Sequence, residues 1–335
     1  MNKLLPWQDE LWERWITLRS HMPQALLIKG REGIGKLNFA LNIAQSQLCE
    51  HPSNISTACQ SCPACHWFTQ QSHPDFQLIQ PAVLSVTNDD KEDEKKLSKQ
   101  ITIEQIRALT DFARLSSHQG GHRVVVIYPA ETMNNNAANA LLKILEEPPE
   151  QMLILLVSHK PQRLLPTIVS RCLAFPMPMP PSNAVLSWLQ LRNIKYPELF
   201  LARSGFSPLL AERTAEENQL TEQLQYLIKE IVQPDKVDAF ILAEYIKSTE
   251  PIKVISWLQK WCYDLTGYKL TGKIRYFIDQ HDAIIKLSRK IDILQMFHYQ
   301  SKLIVAKREA LHPLNQKLLY ESILLAYQHA IREAI

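Results

Sequence analysis

The stretch LLIKGREGIGKLNFA, residues 26–40, predicts a buried strand that runs into a glycine loop and then into a helix. The spacing Gly30-x-x-x-x-Gly35-Lys36 matches the pattern whose backbone N–H groups and lysine surround the phosphates of a nucleotide. The next residue of that pattern is Ser or Thr, because its hydroxyl binds magnesium, but here it is Leu37. The stretch therefore predicts a phosphate-loop fold and raises the question of whether its chemistry is intact.

Other apolar runs predict further strands of a sheet. Segments rich in Val, Ile and Leu, without regular alternation, lie at 25–29, 76–80, 123–128 and 152–158. Such runs are typical of parallel strands that are buried on both faces. Helical patterns fall between them at 35–48, 102–115 and 136–147. Strands that alternate with helices predict an α/β domain, a parallel sheet with flanking helices.

The α/β pattern ends at FPMPMPPS, residues 175–182, because proline fits neither a helix interior nor a central strand. Every later segment has helical spacing, most clearly at 222–232, 237–247, 252–265 and 317–335. We expect an α/β domain over 1–177, a small helical domain over 178–213 and an all-α domain over 214–335. The charged stretch 88–99 predicts a solvated, mobile insertion.

Composition disfavours some functions without excluding direct contact with DNA. The net charge of +3 over 335 residues is smaller than the strongly basic balance of a dedicated nucleic-acid binder. The first fifteen residues include acidic side chains where a secretory signal requires an apolar run, and no apolar run reaches the roughly 18 residues of a membrane span. We therefore expect a cytoplasmic protein.

After Leu37, a second difference from a nucleotide-hydrolysing site lies just after the strand at 123–127. Nucleotide hydrolysis requires an acidic residue there to support magnesium, but the chain has Tyr128 and Pro129, and its first carboxylate is Glu131. We do not expect the chain itself to hydrolyse ATP. The residues Gly30, Gly33, Gly35 and Lys36 either hold a phosphate or only preserve the turn, and the sequence leaves both possibilities open.

Four of the six cysteines lie close together, at Cys49, Cys59, Cys62 and Cys65. Four thiolates with two-residue spacings suit a tetrahedral zinc ion, and with four protein ligands the site would be structural. An iron–sulfur cluster and unliganded thiols are the alternatives.

The segment NNAANALLKILEEPPEQMLILLVSHKPQRLLPTIVSRC, residues 135–172, resembles the clamp-loader branch of the AAA+ ATPase superfamily. The resemblance covers about residues 1–180 and continues more weakly to HPLNQKLLYESILLAY at 312–327. Within that branch, the cysteine insertion and the altered second strand resemble the stator-like subunits. The resemblance implies an AAA+ domain with a zinc insertion near 49–65, then a helical lid domain and a helical collar domain for oligomerisation.

The resemblance also implies a function. Clamp loaders of replicative DNA polymerase holoenzymes are five-subunit assemblies that place a sliding clamp on primer–template DNA, with ATP bound between neighbours. The motif Ser170-Arg171-Cys172 implies that Arg171 is an arginine finger for the neighbour's ATP, with Ser170 beside it. The planar, permanently charged guanidinium suits this role. The implied partners are gamma/tau-type ATPase subunits, delta-type subunits, the clamp and DNA.

The sequence leaves open another role for Arg171 and two other functions for the protein. On residue type alone, Arg171 is better explained by an ordinary surface ion pair, and only its place in the motif favours the finger. The position that resembles the second ATP-sensing arginine of the ATPase subunits is Pro208, which is a third loss at this chain's own nucleotide site. One alternative function is an ATPase that binds magnesium through Glu131 and water. Another is a zinc-containing DNA-binding module on a relic nucleotide fold.

Overall fold

In the part of the chain that it describes, the computed structural model has five strands in one wholly parallel sheet, in the order β2-β3-β4-β1-β5. The strands are β1 (Ala25–Lys29), β2 (Phe76–Ile79), β3 (Arg123–Ile127), β4 (Met152–Ser158) and β5 (Leu173–Pro176). The structure describes residues 3–19, 21–53, 57–85, 97–114, 121–216, 218–234, 237–310 and 315–332. Most of the charged stretch predicted at 88–99 lies outside them.

Six α-helices accompany the sheet among the described residues of the first of two compact units, residues 1–185. They are α1 (Asp9–Arg19), α2 (Lys36–Leu48), α3 (Pro63–Thr69), α4 (Ile103–Arg114), α5 (Asn135–Glu146) and α6 (Pro166–Arg171). The predicted α/β class is confirmed, and each predicted strand and helix of this unit is present to within one or two residues at its described ends. Strand β5 was not predicted, since it is short and runs into the prolines.

Apolar side chains fill both faces of the sheet. On one face Leu27, Val125 and Ile154 pack with α4, α5 and α6. On the other, Leu26 and Val124 pack with the buried aromatic and aliphatic side chains of α1 and α2. Burial on both faces explains why the strands are continuous apolar runs without alternation.

The second compact unit, residues 186–335, is helical in its described part. Its helices are α7 (Ser182–Leu191, which spans the division), α8 (Pro197–Arg203), α9 (Pro208–Glu216), α10 (Asn218–Ile231), α11 (Ala239–Ile246), α12 (Pro251–Thr271), α13 (His281–Lys290), α14 (Ile293–Glu309) and α15 (Gln316–Arg332). The further division into lid and collar at residue 213 stays a prediction. Among the described helices, none combines the length and the apolar character needed to cross a bilayer.

The core of the second unit contains a buried aromatic hydrogen-bond chain. The indole N–H of Trp261 donates to the hydroxyl of Tyr327 over 2.8 Å, and that hydroxyl donates to the carbonyl of Ile231 over 2.9 Å. These bonds give a hydrogen-bond partner to the polar group of each of the two fully buried rings. The rings can therefore be buried where α10, α12 and α15 pack together.

Candidate functional site

The glycine loop lies where β1 meets α2. Gly33 and Gly35 have φ angles of 77° and 88°, in the left-handed region that glycine tolerates best. A Cβ atom on Gly35 would also collide with the side chains of Leu5 and Gln8. The loop conformation therefore requires glycine at residue 35, whether or not the loop holds a ligand.

Lys36 is turned into its own loop. Its ammonium donates hydrogen bonds to the carbonyl oxygens of Gly30, at 2.8 Å, and Arg31, and the residue is only 2% exposed. Burial lowers the pKa of Lys36 to about 8, against the opposing effect of the Glu131 and Glu32 carboxylates. The lysine that would bind phosphate is thus already hydrogen-bonded by the loop backbone.

The N-terminal segment covers the same loop. The Gln8 side-chain amide donates to the carbonyl of Gly35 over 2.9 Å, and the indole of Trp7 donates to the carbonyl of Ile34 over 3.0 Å. Gln8 is fully buried. The sequence analysis missed this role of Gln8, because the contact joins residues 27 positions apart and no local pattern announces it.

The two positions that would support magnesium have other contacts. Leu37 is half-buried against the apolar core between the sheet and α2. The ring of Tyr128 packs edge-to-face with that of His159, with centroids 5.4 Å apart. Burial raises the pKa of Tyr128 and lowers that of His159, so both rings favour their neutral forms.

Glu131 supports the turn after β4. Its Oε1 accepts hydrogen bonds from the backbone N–H groups of His159, at 3.0 Å, and Lys160, at 3.1 Å. Its Oε2 is buried and has no hydrogen-bond partner within the described ranges. One carboxylate oxygen is therefore committed to the backbone, which makes Glu131 a poor replacement for the missing magnesium-supporting acid.

Arg171 ends α6 and contacts α5. Its Nη2 lies 2.7 Å from Oε1 of Glu146, and its Nη1 donates to the carbonyl of Thr167 over 3.1 Å. The two charged side chains are 36% and 49% exposed. The hydroxyl of Ser170 also donates to the carbonyl of Thr167, over 3.1 Å. Arg171 thus forms a surface ion pair and remains accessible to a partner.

The four predicted cysteines converge at the end of α2 and the start of α3. All four sulfur atoms lie within 4.8 Å of one another, with 3.9 Å between Cys49 and Cys62 and 4.0 Å between Cys59 and Cys65. In a tetrahedral zinc site with bonds near 2.3 Å, neighbouring sulfurs lie about 3.8 Å apart. The cluster therefore has the spacing of four ligands around one ion.

Backbone N–H groups also point at these sulfurs. The amides of Cys59, Cys62 and Cys65 approach the sulfurs of Cys49, Cys59 and Cys62 at 3.2–3.4 Å. The N–H of Ser61 is the main cause that lowers the pKa of Cys59 to about 5, whereas burial raises the pKa of Cys65. Donors aimed at sulfur stabilise thiolates, the form that binds metal. The four residues could hold a metal ion.

The structure brings some predicted residues together and separates others. The glycine loop and Lys36 follow β1 and Glu131 follows β3, so they lie at the carboxyl ends of the two strands on either side of β4, the edge where such sheets bind ligands. The contacts that the structure gives Arg171 are to α5 and α6 rather than to this loop. The cysteines form a third, independent cluster.

Two family models match the chain. The model described as "DNA polymerase III, delta subunit" matches residues 8–181. The model described as "DNA polymerase III, delta subunit, C terminal" matches residues 218–329. Together they span both compact units.

Individual relatives are similar over long stretches. DNA polymerase III subunit delta' of Pseudomonas aeruginosa is 33% identical over 98% of this chain and 98% of its own length. The Haemophilus influenzae subunit delta' is 27% identical over 80% of this chain and 76% of its own. Among solved structures, a Thermotoga maritima DNA polymerase III gamma subunit-related protein is 19% identical with a TM-score of 0.40, covering 97% of this chain and 100% of that one.

Proposed function

This chain belongs to the family of DNA polymerase III delta-prime subunits, and we propose that it is the non-hydrolysing, stator-like subunit of a sliding-clamp loader. In this role it contributes an arginine to the ATP site of a neighbouring subunit and performs no hydrolysis of its own.

One contrast carries the proposal. Lys36, the residue that would act on this chain's own nucleotide, is 2% exposed and hydrogen-bonded to its loop. Arg171, the residue that would act on a neighbour's nucleotide, lies at the surface with a 36% exposed side chain. The accessible cation is thus the one suited to act in trans.

The chemistry at Arg171 is electrostatic. A guanidinium carries five N–H donors, and the contacts to Glu146 and Thr167 involve only two of its nitrogens. The remaining donors can approach the charged oxygens of a transferring phosphoryl group, and the permanent charge offsets the charge that develops there. An arginine supplied in trans to a phosphoryl-transfer site is typically worth roughly 10³–10⁵ in rate at that site.

The chain's own loop retains the shape of a phosphate site without its chemistry. Gly30, Gly33, Gly35 and Lys36 keep the strand-to-helix turn, and we propose no tight nucleotide binding there. The losses at Leu37 and Tyr128 remove the support for magnesium. ATP is then bound in neighbouring subunits only.

Zinc at Cys49, Cys59, Cys62 and Cys65 completes the proposal. When bound, it supplies a structural crosslink and no catalysis, since the four thiols fill a tetrahedral shell. The four residues join the end of α2 to α3, a helix of only seven residues. Residues 178–213 serve as the lid and 214–335 as the collar. The partners are gamma/tau-type and delta-type subunits and, through the complex, the clamp and primer–template DNA.

The test uses loaders reconstituted with wild-type, Arg171→Ala and Arg171→Lys chains, after size-exclusion chromatography has shown equal assembly. We expect the isolated wild-type chain to hydrolyse no ATP. In the loader, DNA-stimulated hydrolysis falls with Arg171→Ala and is only weakly restored by Arg171→Lys, because lysine lacks the planar fork. Magnesium-dependent turnover by the isolated chain would support the ATPase alternative instead. Salt-sensitive DNA binding by the isolated chain would support the DNA-binding alternative.

A further inference from the structure

Glu146 is the last residue of α5 and Glu147 is its C-cap residue, just before Pro148 and Pro149. Carboxylates are unfavourable at a helix C-terminus, where the backbone dipole already concentrates negative charge. Residues that are unfavourable for stability in their local structure are expected mainly at functional sites. The function proposed above gives these two residues no role.

Only one of the two carboxylates pairs with Arg171 within the described residues. Oε1 of Glu146 lies 2.7 Å from Nη2 of Arg171, whereas Glu147 has no ion pair to that arginine in the same set. The carbonyl of Thr167 accepts from Nη1 of Arg171 at 3.1 Å. Two acceptors from two different helices therefore hold one guanidinium.

Both helices are anchored close to this pair. Leu145 precedes Glu146 and is 7% exposed, and Ile168, one turn before Arg171, is fully buried. Both belong to the same apolar cluster beneath the sheet. The proline pair after Glu147 further restricts the backbone at the end of α5. The ion pair thus joins two fixed backbones, so it sets the direction of the arginine rather than the packing of the helices.

We infer that Glu146 is a positioning residue for Arg171: it favours one orientation of the guanidinium, with donors free for the neighbour's phosphate. This inference rests on the proposed role of Arg171 in trans. An exposed pair constrains a long side chain only modestly. The carboxylate therefore reduces the number of arginine conformers that must be lost when the neighbour's nucleotide arrives.

The test measures one quantity in reconstituted loaders: the ATP turnover that depends on Arg171. It is the DNA-stimulated rate with a given chain minus the rate with the same chain carrying Arg171→Ala. We expect Glu146→Ala to lower this quantity about two- to fivefold, the range that corresponds to an exposed ion pair. Glu146→Gln keeps an oxygen acceptor and is expected to retain more of the Arg171-dependent turnover than Glu146→Ala. Glu147→Ala removes the same charge at the same helix end and is expected to leave it unchanged.

A double-variant cycle separates positioning from a general structural effect. In the Arg171→Ala background, Glu146→Ala is expected to cause no further loss, because the residue acts only through the arginine. Equal turnover with Glu146→Ala and Glu147→Ala would overturn the inference, and so would a rise with Glu146→Ala, which would mean that the carboxylate restrains the finger. If Arg171→Ala itself leaves ATP turnover unchanged, the proposed function fails. That result can be distinguished from the two results that would overturn only the role of Glu146.

Discussion

Lys36 donates a hydrogen bond of 2.8 Å to the carbonyl oxygen of Gly30, at the start of the same loop. With Gln8 hydrogen-bonded to the carbonyl of Gly35, the loop is stabilised from inside and outside by the chain itself. A loop arranged in this way keeps its shape without a phosphate. The fold of the site is therefore independent of any phosphate chemistry.

Restoring a hydroxyl at the magnesium position is expected to destabilise the chain without activating it. Leu37 packs against the apolar core, so Leu37→Ser should lower the free energy of unfolding by about 1–3 kcal/mol. Tyr128 still occupies the place of the acid, so no hydrolysis appears. Urea denaturation and an ATPase assay on the isolated variant test both parts. Turnover by this variant would show that one residue alone had silenced the site.

The buried lysine predicts a specific pH dependence. The pKa of Lys36 falls from 10.5 to about 8 on folding, so between these values the unfolded chain binds more protons and the free energy of unfolding rises with pH. Lys36→Met removes this contribution. The free energy of unfolding of the variant minus that of wild type is therefore highest below pH 8 and falls by about 3 kcal/mol towards pH 10.5.

Denaturant titrations at pH 7.5 and pH 10 measure this change. Lys143→Met, at an exposed lysine, controls for the loss of one positive charge. A stability difference between Lys36→Met and wild type that stays constant over this range would contradict the burial of a titrating Lys36.

The cysteine cluster predicts one zinc ion per chain, measurable by elemental analysis of protein purified without added metal. Cys62→Ser removes a ligand that is also the N-cap residue of α3 and is expected to abolish zinc binding and to lower the melting temperature. Cys172→Ser, outside the cluster, is expected to keep the zinc. Iron with visible absorbance in the wild-type protein would instead indicate an iron–sulfur cluster.

A buried carboxylate organises the second unit. Asp264 in α12 is fully buried and accepts hydrogen bonds from the backbone N–H groups of Arg275, Tyr276 and Phe277 at 2.7–2.9 Å. Asp264→Asn places an amide against N–H donors, which should lower the free energy of unfolding by about 2–3 kcal/mol. Asp282→Asn, with a 95% exposed side chain, serves as the control. Equal unfolding midpoints for the two variants would rule out this role.

Much of the fold follows from local pattern, and the site follows only in part. The strands at 25–29, 123–127 and 152–158 were predictable because burial on both faces demands continuous apolar runs. β5 was not, because it has four residues and one of them, Leu173, is 44% exposed. The cysteine cluster was predictable from spacing alone.

Contacts between distant residues were not predictable. Glu146 looks like a helix end in the sequence, and its pairing with Arg171 spans 25 positions. Gln8 likewise reaches the loop from a separate segment. Such pairings depend on how the strands and helices are arranged in space, which a single sequence does not specify.

The most direct test compares DNA-stimulated ATP hydrolysis by two matched loaders, one carrying Lys36→Ala in this chain and the other Arg171→Ala. The division of roles described above predicts that the Lys36 variant hydrolyses ATP at the wild-type rate and that the Arg171 variant is impaired. An impaired Lys36 loader beside a fully active Arg171 loader would contradict it, because the chain would then use its own nucleotide site and lend nothing to its neighbour.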